Sequence, residues 1–176
     1  NVYATKQESS ELPEGFYFPC VIAHTDTVHN IDTINIREEM LPNTQKEIKL
    51  SYKAYNDEGK PTGIGGDNKA GVFVCLELLD RFDTIKAAFF VSEEVGCLGS
   101  FLSDTTFFDN VGYILQFDAP FSNWVSWYSD GIMLFDVNSE FFNKIEPVFK
   151  QYMPNYTPSY TLTGEFVADG PLPSNY

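Results

Sequence analysis

Apolar residues fall along this chain in short runs that stop abruptly at polar or acidic side chains. Phe16-Tyr17-Phe18-Pro19-Cys20-Val21-Ile22-Ala23 is continuous, aromatic and β-branched, and it ends at His24-Thr25-Asp26, the pattern of a buried strand feeding a loop. From Ile34 to Tyr55 the pattern is mixed. There Ile48, Leu50 and Tyr52 alternate with Lys49, Ser51 and Lys53, which predicts a half-exposed strand ending near Tyr55, and Asn56 to Pro61 carries turn chemistry. Gly63-Ile64-Gly65-Gly66-Asp67 reads as a loop. Behind it Val72, Leu76, Leu79 and Phe82 recur at helical spacing, so a helix is predicted to begin at or just after Asp67. Ile85 to Val91 and Val111 to Phe117 are predicted buried strands, with a short helix over Val95 to Leu102 between them. A loop with Trp124, Trp127 and Tyr128 precedes a predicted strand over Ile132 to Val137 and a helix over Phe141 to Tyr152, which Pro147 should kink or break. Strand, helix, strand, helix, strand in this order predicts an α/β layer with parallel strands.

Composition narrows the classes of function. A chain of 176 residues suits one domain, and 43% hydrophobic with 16% aromatic residues excludes disorder, collagen and coiled coil. With 11 basic against 25 acidic residues the formal net charge is -14, which repels phosphate backbones and anionic lipid heads. No run approaches the ~20 apolar residues of a membrane helix. Neither nucleic acid nor a membrane is therefore an expected partner. Cys20, Cys75 and Cys97 show no CxxC spacing, which speaks against a disulfide framework and a thiolate zinc site and leads to the expectation of a reducing, cytoplasmic compartment. The start, Asn1-Val2-Tyr3-Ala4, carries neither a basic segment nor an apolar h-region.

Three of the apolar strands run directly into ionisable side chains: His24 and Asp26 after the first, Glu93 and Glu94 after another, Asp118 after the last. In open α/β sheets ligands bind outside the carboxyl ends of the strands, so these groups should meet at one crevice, where Asp67 can join them. Taken alone, His24 reads as a hydrogen-bonded core histidine, Asp67 as a helix N-cap, Glu93-Glu94 as a solvated pair and Asp118 as the start of a turn. Gly63 to Gly66 lacks the GK[ST] element of a phosphate loop. Together, the carboxylates beside one imidazole would repel strongly if bare, and two neighbouring divalent cations are the simplest thing that would stabilise them. Imidazole and carboxylate without thiolate suit catalytic zinc or a similar ion with open positions.

In four segments the chain resembles the two-zinc metallopeptidases of the peptidase T, aminoacylase and glutamate carboxypeptidase kind. They are Ala23-His24-Thr25-Asp26-Thr27-Val28, Gly65-Gly66-Asp67-Asn68-Lys69-Ala70-Gly71-Val72, Ser92-Glu93-Glu94-Val95-Gly96-Cys97-Leu98-Gly99-Ser100 and Phe117-Asp118-Ala119. The resemblance covers residues 20 to 120. It implies a three-layer αβα fold with a mostly parallel central sheet, the phosphorylase/hydrolase-like zinc exopeptidase core. It also implies residue roles: His24 and Asp118 on one metal, Asp67 bridging two, Glu94 on the second, Glu93 as general base and Asp26 orienting the His24 imidazole. The peptide between Asp67 and Asn68 would be cis. Two divalent ions, zinc first with cobalt or manganese as alternatives, would be the cofactors.

The chain also departs from the family. The second metal there takes a histidine from late in the catalytic domain, and no histidine follows His29 here. Only Ala119 to Ser129 separates the Asp118 strand from the Asp130-Gly131 turn, too little for the lid domain that many members insert at this point. Residues 1–176 are thus expected to form a single catalytic-type domain without an inserted lid, incomplete at both ends relative to the family. The expected function is hydrolysis of an amide bond in a small peptide or N-acyl amino acid, as in an aminopeptidase or tripeptidase. The rival is a noncatalytic, degenerate metal-binding domain without the late histidine.

Overall fold

The apolar run that ends at His24 becomes a central strand, β2 (Phe18–His24), of a four-stranded mixed sheet. The structure, a computed structural model, describes residues 1–28, 34–40, 50–118, 124–126, 128–129, 132–133, 136, 138–152 and 157–159. It is mixed α/β and divides into two compact units, 1–118 and 119–175. The single domain expected over 1–176 spans both.

In the first unit β2 lies between β6 (Thr84–Phe90) and β7 (Val111–Gln116), parallel to each. The outer strand β1 (Val2–Gln7) runs antiparallel to β6, giving the order β1-β6-β2-β7. Strands covered on both faces read as continuous apolar runs, and Cys20, Val21, Ala23, Ile85, Ala87 and Ala88 are all buried. Helix α1 (Gly66–Arg81) covers one face through Val72, Cys75, Leu78 and Leu79, which pack with Val21, Ala23, Ala87 and Phe89. The sequence pattern places Leu76 and Phe82 on the same stripe, yet both are 53% exposed. The stripe turns instead about Cys75, a small apolar residue that large-residue periodicity passes over.

The strand expected over Val111 to Phe117 is present, but not buried as predicted: Tyr113, Ile114 and Leu115 are each at least 39% exposed. Among the described residues β2 is its one strand neighbour. The expected helix over Val95 to Leu102 shrinks to α2 (Leu98–Phe101), because Gly96 (φ 103°) and Cys97 (φ 56°) adopt left-handed backbone that no α-helix includes. A second, antiparallel sheet joins β3 (Asn35–Met40), β4 (Leu50–Tyr55) and β5 (Pro61–Thr62), with Ile48 outside the described residues. Its predicted turn is built by Asn56, whose Oδ1 accepts from the backbone N–H of Glu58 (3.0 Å) and Lys60 (2.9 Å).

In the second unit the expected loop around Trp124 contains two short strands instead. They are β8 (Trp124–Ser126) and β9 (Tyr128–Ser129), paired with β11 (Thr157–Ser159) and β10 (Ile132–Met133) respectively. Trp127 and Val137 lie outside the described residues, as does the chain after Ser159. Helix α3 (Glu140–Tyr152) starts at Ser139, whose Oγ accepts from Phe142 N at 3.1 Å, and it continues through Pro147 rather than breaking there. No helix among the described residues is long and apolar enough to cross a membrane. Cys20, Cys75 and Cys97 form no disulfide, and burial pushes the Cys20 and Cys75 thiols up to about 11.

Two glycines of the resembling segments set how closely these elements approach. A Cβ on Gly71 would lie 2.1 Å from Asn68 Oδ1 and 2.2 Å from the Phe117 carbonyl, so only glycine lets the first turn of α1 rest against the end of β7. A Cβ on Gly99 would lie 2.1 Å from the Val91 carbonyl, which holds α2 against the end of β6 in the same way. Gly71→Ala is expected to cost about 1–3 kcal/mol in urea denaturation, against about 0.5 kcal/mol or less for the exposed Leu102→Ala. Equal stability of the two variants would show that the approach at Gly71 is loose.

Candidate functional site

Strands β2, β6 and β7 are parallel, so the segments leaving their C-terminal ends emerge on one side of the sheet. His24 is the last residue of β2 and only 3% exposed. Its Nε2 lies 3.0 Å from Asp67 Oδ1, 3.4 Å from Asp118 Oδ1 and 3.8 Å from Glu93 Oε2. One ligand atom each from His24, Asp67 and Glu94 lie within 4.8 Å of one another. All six residues singled out in the sequence, His24, Asp26, Asp67, Glu93, Glu94 and Asp118, therefore gather at the sheet end within the first unit.

Asp26 plays a part that the sequence reading misses. Its two carboxylate oxygens accept the backbone N–H of Glu93 and of Glu94, both at 3.1 Å, and so pin the turn after β6 to the loop after β2. His24 Nδ1 meets the Asp26 carbonyl at 3.1 Å and its carboxylate only at 3.5 Å. The imidazole is thus oriented mainly by the main chain of Asp26. Adjacent contacts complete this turn: Gly96 N and Cys97 N both donate to the Glu93 carbonyl, and Cys97 Sγ donates to Glu93 Oε1 at 3.5 Å.

The start of α1 delivers the remaining carboxylate. Asp67 (φ -88°, ψ 104°) and Asn68 (φ -118°, ψ 39°) do not have helical backbone, so the regular helix starts after Asn68, and the Asp67 side chain reaches His24 instead of capping it. The peptide between Asp67 and Asn68 is cis, as the resemblance implies. Asn68 is buried, and its Oδ1 accepts from Gly71 N at 2.9 Å. Lys69, which the sequence reading leaves without a role, donates its ammonium to the Thr25 carbonyl and ties the helix start to the loop between His24 and Asp26.

Burial pulls the proton affinity of His24 down, but the charges of Asp118 and Glu93 and the hydrogen bond of Asp67 outweigh it, so the pKa stands above its ordinary value. For Asp26 burial acts upward, and the N–H groups of Glu93 and Glu94 outweigh it, holding the carboxyl below its usual range. The first shift reflects the carboxylates gathered on the imidazole, the second the backbone N–H groups that Asp26 accepts.

No family model, curated protein or solved structure matches this chain. What bears on function is therefore its own residues. The grouped donors are one imidazole and two carboxylates, and no thiol belongs to the group. Such a set fits a divalent ion of the zinc, cobalt or manganese type.

The clamp formed by Asp26 makes a direct prediction. Hydrogen bonds to a charged acceptor are worth more than neutral ones, and two of them end on this residue. Asp26→Ala should cost about 1–3 kcal/mol and speed amide hydrogen exchange at Glu93 and Glu94 by roughly tenfold or more. Unchanged protection at those two amides would contradict the clamp.

Proposed function

We propose that this chain carries the catalytic part of a two-metal hydrolase that cleaves an amide bond in a small peptide or N-acyl amino acid. The observation that supports it is the meeting of His24 Nε2 with Asp67 at 3.0 Å and Asp118 at 3.4 Å, at the end of a sheet where Glu93 and Glu94 also stand. With this reading go the three-layer αβα exopeptidase core that the resemblance implies, the expected lack of an inserted lid, and the residence in the cytoplasm expected from the cysteines.

His24, Asp67 and Asp118 would hold one ion, and Asp67 with Glu94 the second. When bound, such ions supply Lewis-acid polarisation of the scissile carbonyl and acidify a water beside it. Glu93 takes the proton from the attacking water as its oxygen forms the new bond to the carbonyl carbon. The same carboxyl then delivers that proton to the leaving amine nitrogen as the C–N bond breaks. Asp26, by holding the backbone N–H of Glu93 and Glu94, keeps base and ligand in fixed relation to His24.

A second reading, a noncatalytic domain that binds fewer ions, is favoured by one specific fact: no histidine follows His29 in this sequence, so among the described residues Asp67 and Glu94 are the donors left to the second ion. Elemental analysis of the purified protein together with a screen of dipeptides, tripeptides and N-acyl amino acids separates the two. The hydrolase reading expects about two zinc-type ions per chain and turnover. Glu93→Gln should then lower kcat by about 10²–10⁴-fold with the metal content unchanged. One ion or none with no hydrolysis supports the noncatalytic domain, and near wild-type activity of Glu93→Gln removes Glu93 as the base.

A further inference from the structure

We propose that Gln116 is a positioning residue for Asp118, fixing which carboxylate oxygen faces the centre of the site. The inference rests on the reading of the site as a metal centre. Gln116 is the last residue of β7, and its Nε2 donates to Asp118 Oδ2 at 3.1 Å. The other oxygen, Oδ1, is the one that stands 3.4 Å from His24 Nε2. Residues two apart along extended chain project to the same side, which is why the amide can reach the carboxylate without bending the strand. Gln116 also lines the same small cavity as His24 and Glu93.

The chemistry of the side chain suits the task. The terminal torsion of an aspartate is broad and roughly two-fold, so a carboxylate held at one point exchanges its oxygens easily. A donor on one oxygen removes that freedom. An amide does so without adding charge, whereas Lys or Arg at the same place would neutralise the carboxylate and compete with a cation for it. Gln116 therefore orients the ligand while leaving the site's negative charge intact. Partners of this kind behind metal ligands typically govern affinity by 10–100-fold.

The test is zinc affinity of the full chain, measured by competition against a chromophoric chelator, for wild type, Gln116→Met, Asp118→Ala and the double variant. Met keeps the length of the side chain and loses the donor, and Gln116→Leu serves as a second probe of the same loss. Gln116→Met should bind zinc about 10–100-fold more weakly, and should add little to the loss already present in Asp118→Ala, because it acts through that carboxylate. Thermal unfolding of metal-free Gln116→Met should match that of metal-free wild type, which separates positioning from general stability. A wild-type chain that takes up no zinc overturns the metal-centre reading and this inference with it. A wild type that binds zinc while Gln116→Met binds within about twofold of it overturns this inference alone. So does an equal loss from Gln116→Met in the presence and absence of Asp118.

Discussion

A buried imidazole is the point on which this site depends. His24 is 3% exposed at the end of a central strand, and carboxylates from three separate segments approach its Nε2 within 3.8 Å. Like charges brought this near one another repel. The imidazole offsets part of it, which is why its own pKa rises despite burial. With a net charge of -14 the rest of the chain offers little relief. A cation at the centre would resolve the conflict that these residues create, and the proposed function follows from that electrostatic condition.

The backbone is arranged to make such crowding possible. Parallel pairing of β2 with β6 and β7 sends three chain segments to one side of the sheet. Gly71 and Gly99 then let α1 and α2 come against the strand ends at distances no side chain would permit. Asp26 closes the arrangement by accepting the N–H groups of Glu93 and Glu94, so the turn after β6 cannot drift from the loop after β2. Packing, main-chain hydrogen bonds and charge therefore act on the same few residues.

Much of this was legible in the residues themselves, and what was not has identifiable causes. Strands that are buried on both faces announce themselves as apolar runs, which is how β2 and β6 can be read directly, and the ionisable groups after them mark the site. The inward stripe of α1 is harder, because Cys75 is small and the bulkier Leu76 lies beside it. Strands β1 and β3 carry mixed, partly exposed residues with no clean alternation, so their pairing depends on partners distant in sequence. The clamp formed by Asp26 was hidden for a different reason: its partners are backbone N–H groups, which every residue but proline possesses. Gln116 left a faint trace, a polar residue on the same strand face as Asp118.

The central claim is that the carboxylates around His24 form a centre completed by divalent ions, and stability measured with and without metal tests it most directly. An ion that binds the native chain and not the unfolded one stabilises by about 2.7 kcal/mol at a hundredfold excess over its Kd. The account predicts that chelation lowers the melting temperature of the full chain, that zinc restores it, and that Asp67→Ala forfeits more of this gain than Asp118→Ala because a bridging carboxylate serves both ions. A melting temperature unmoved by chelator and by added zinc, once elemental analysis confirms that the ions were removed, would contradict it.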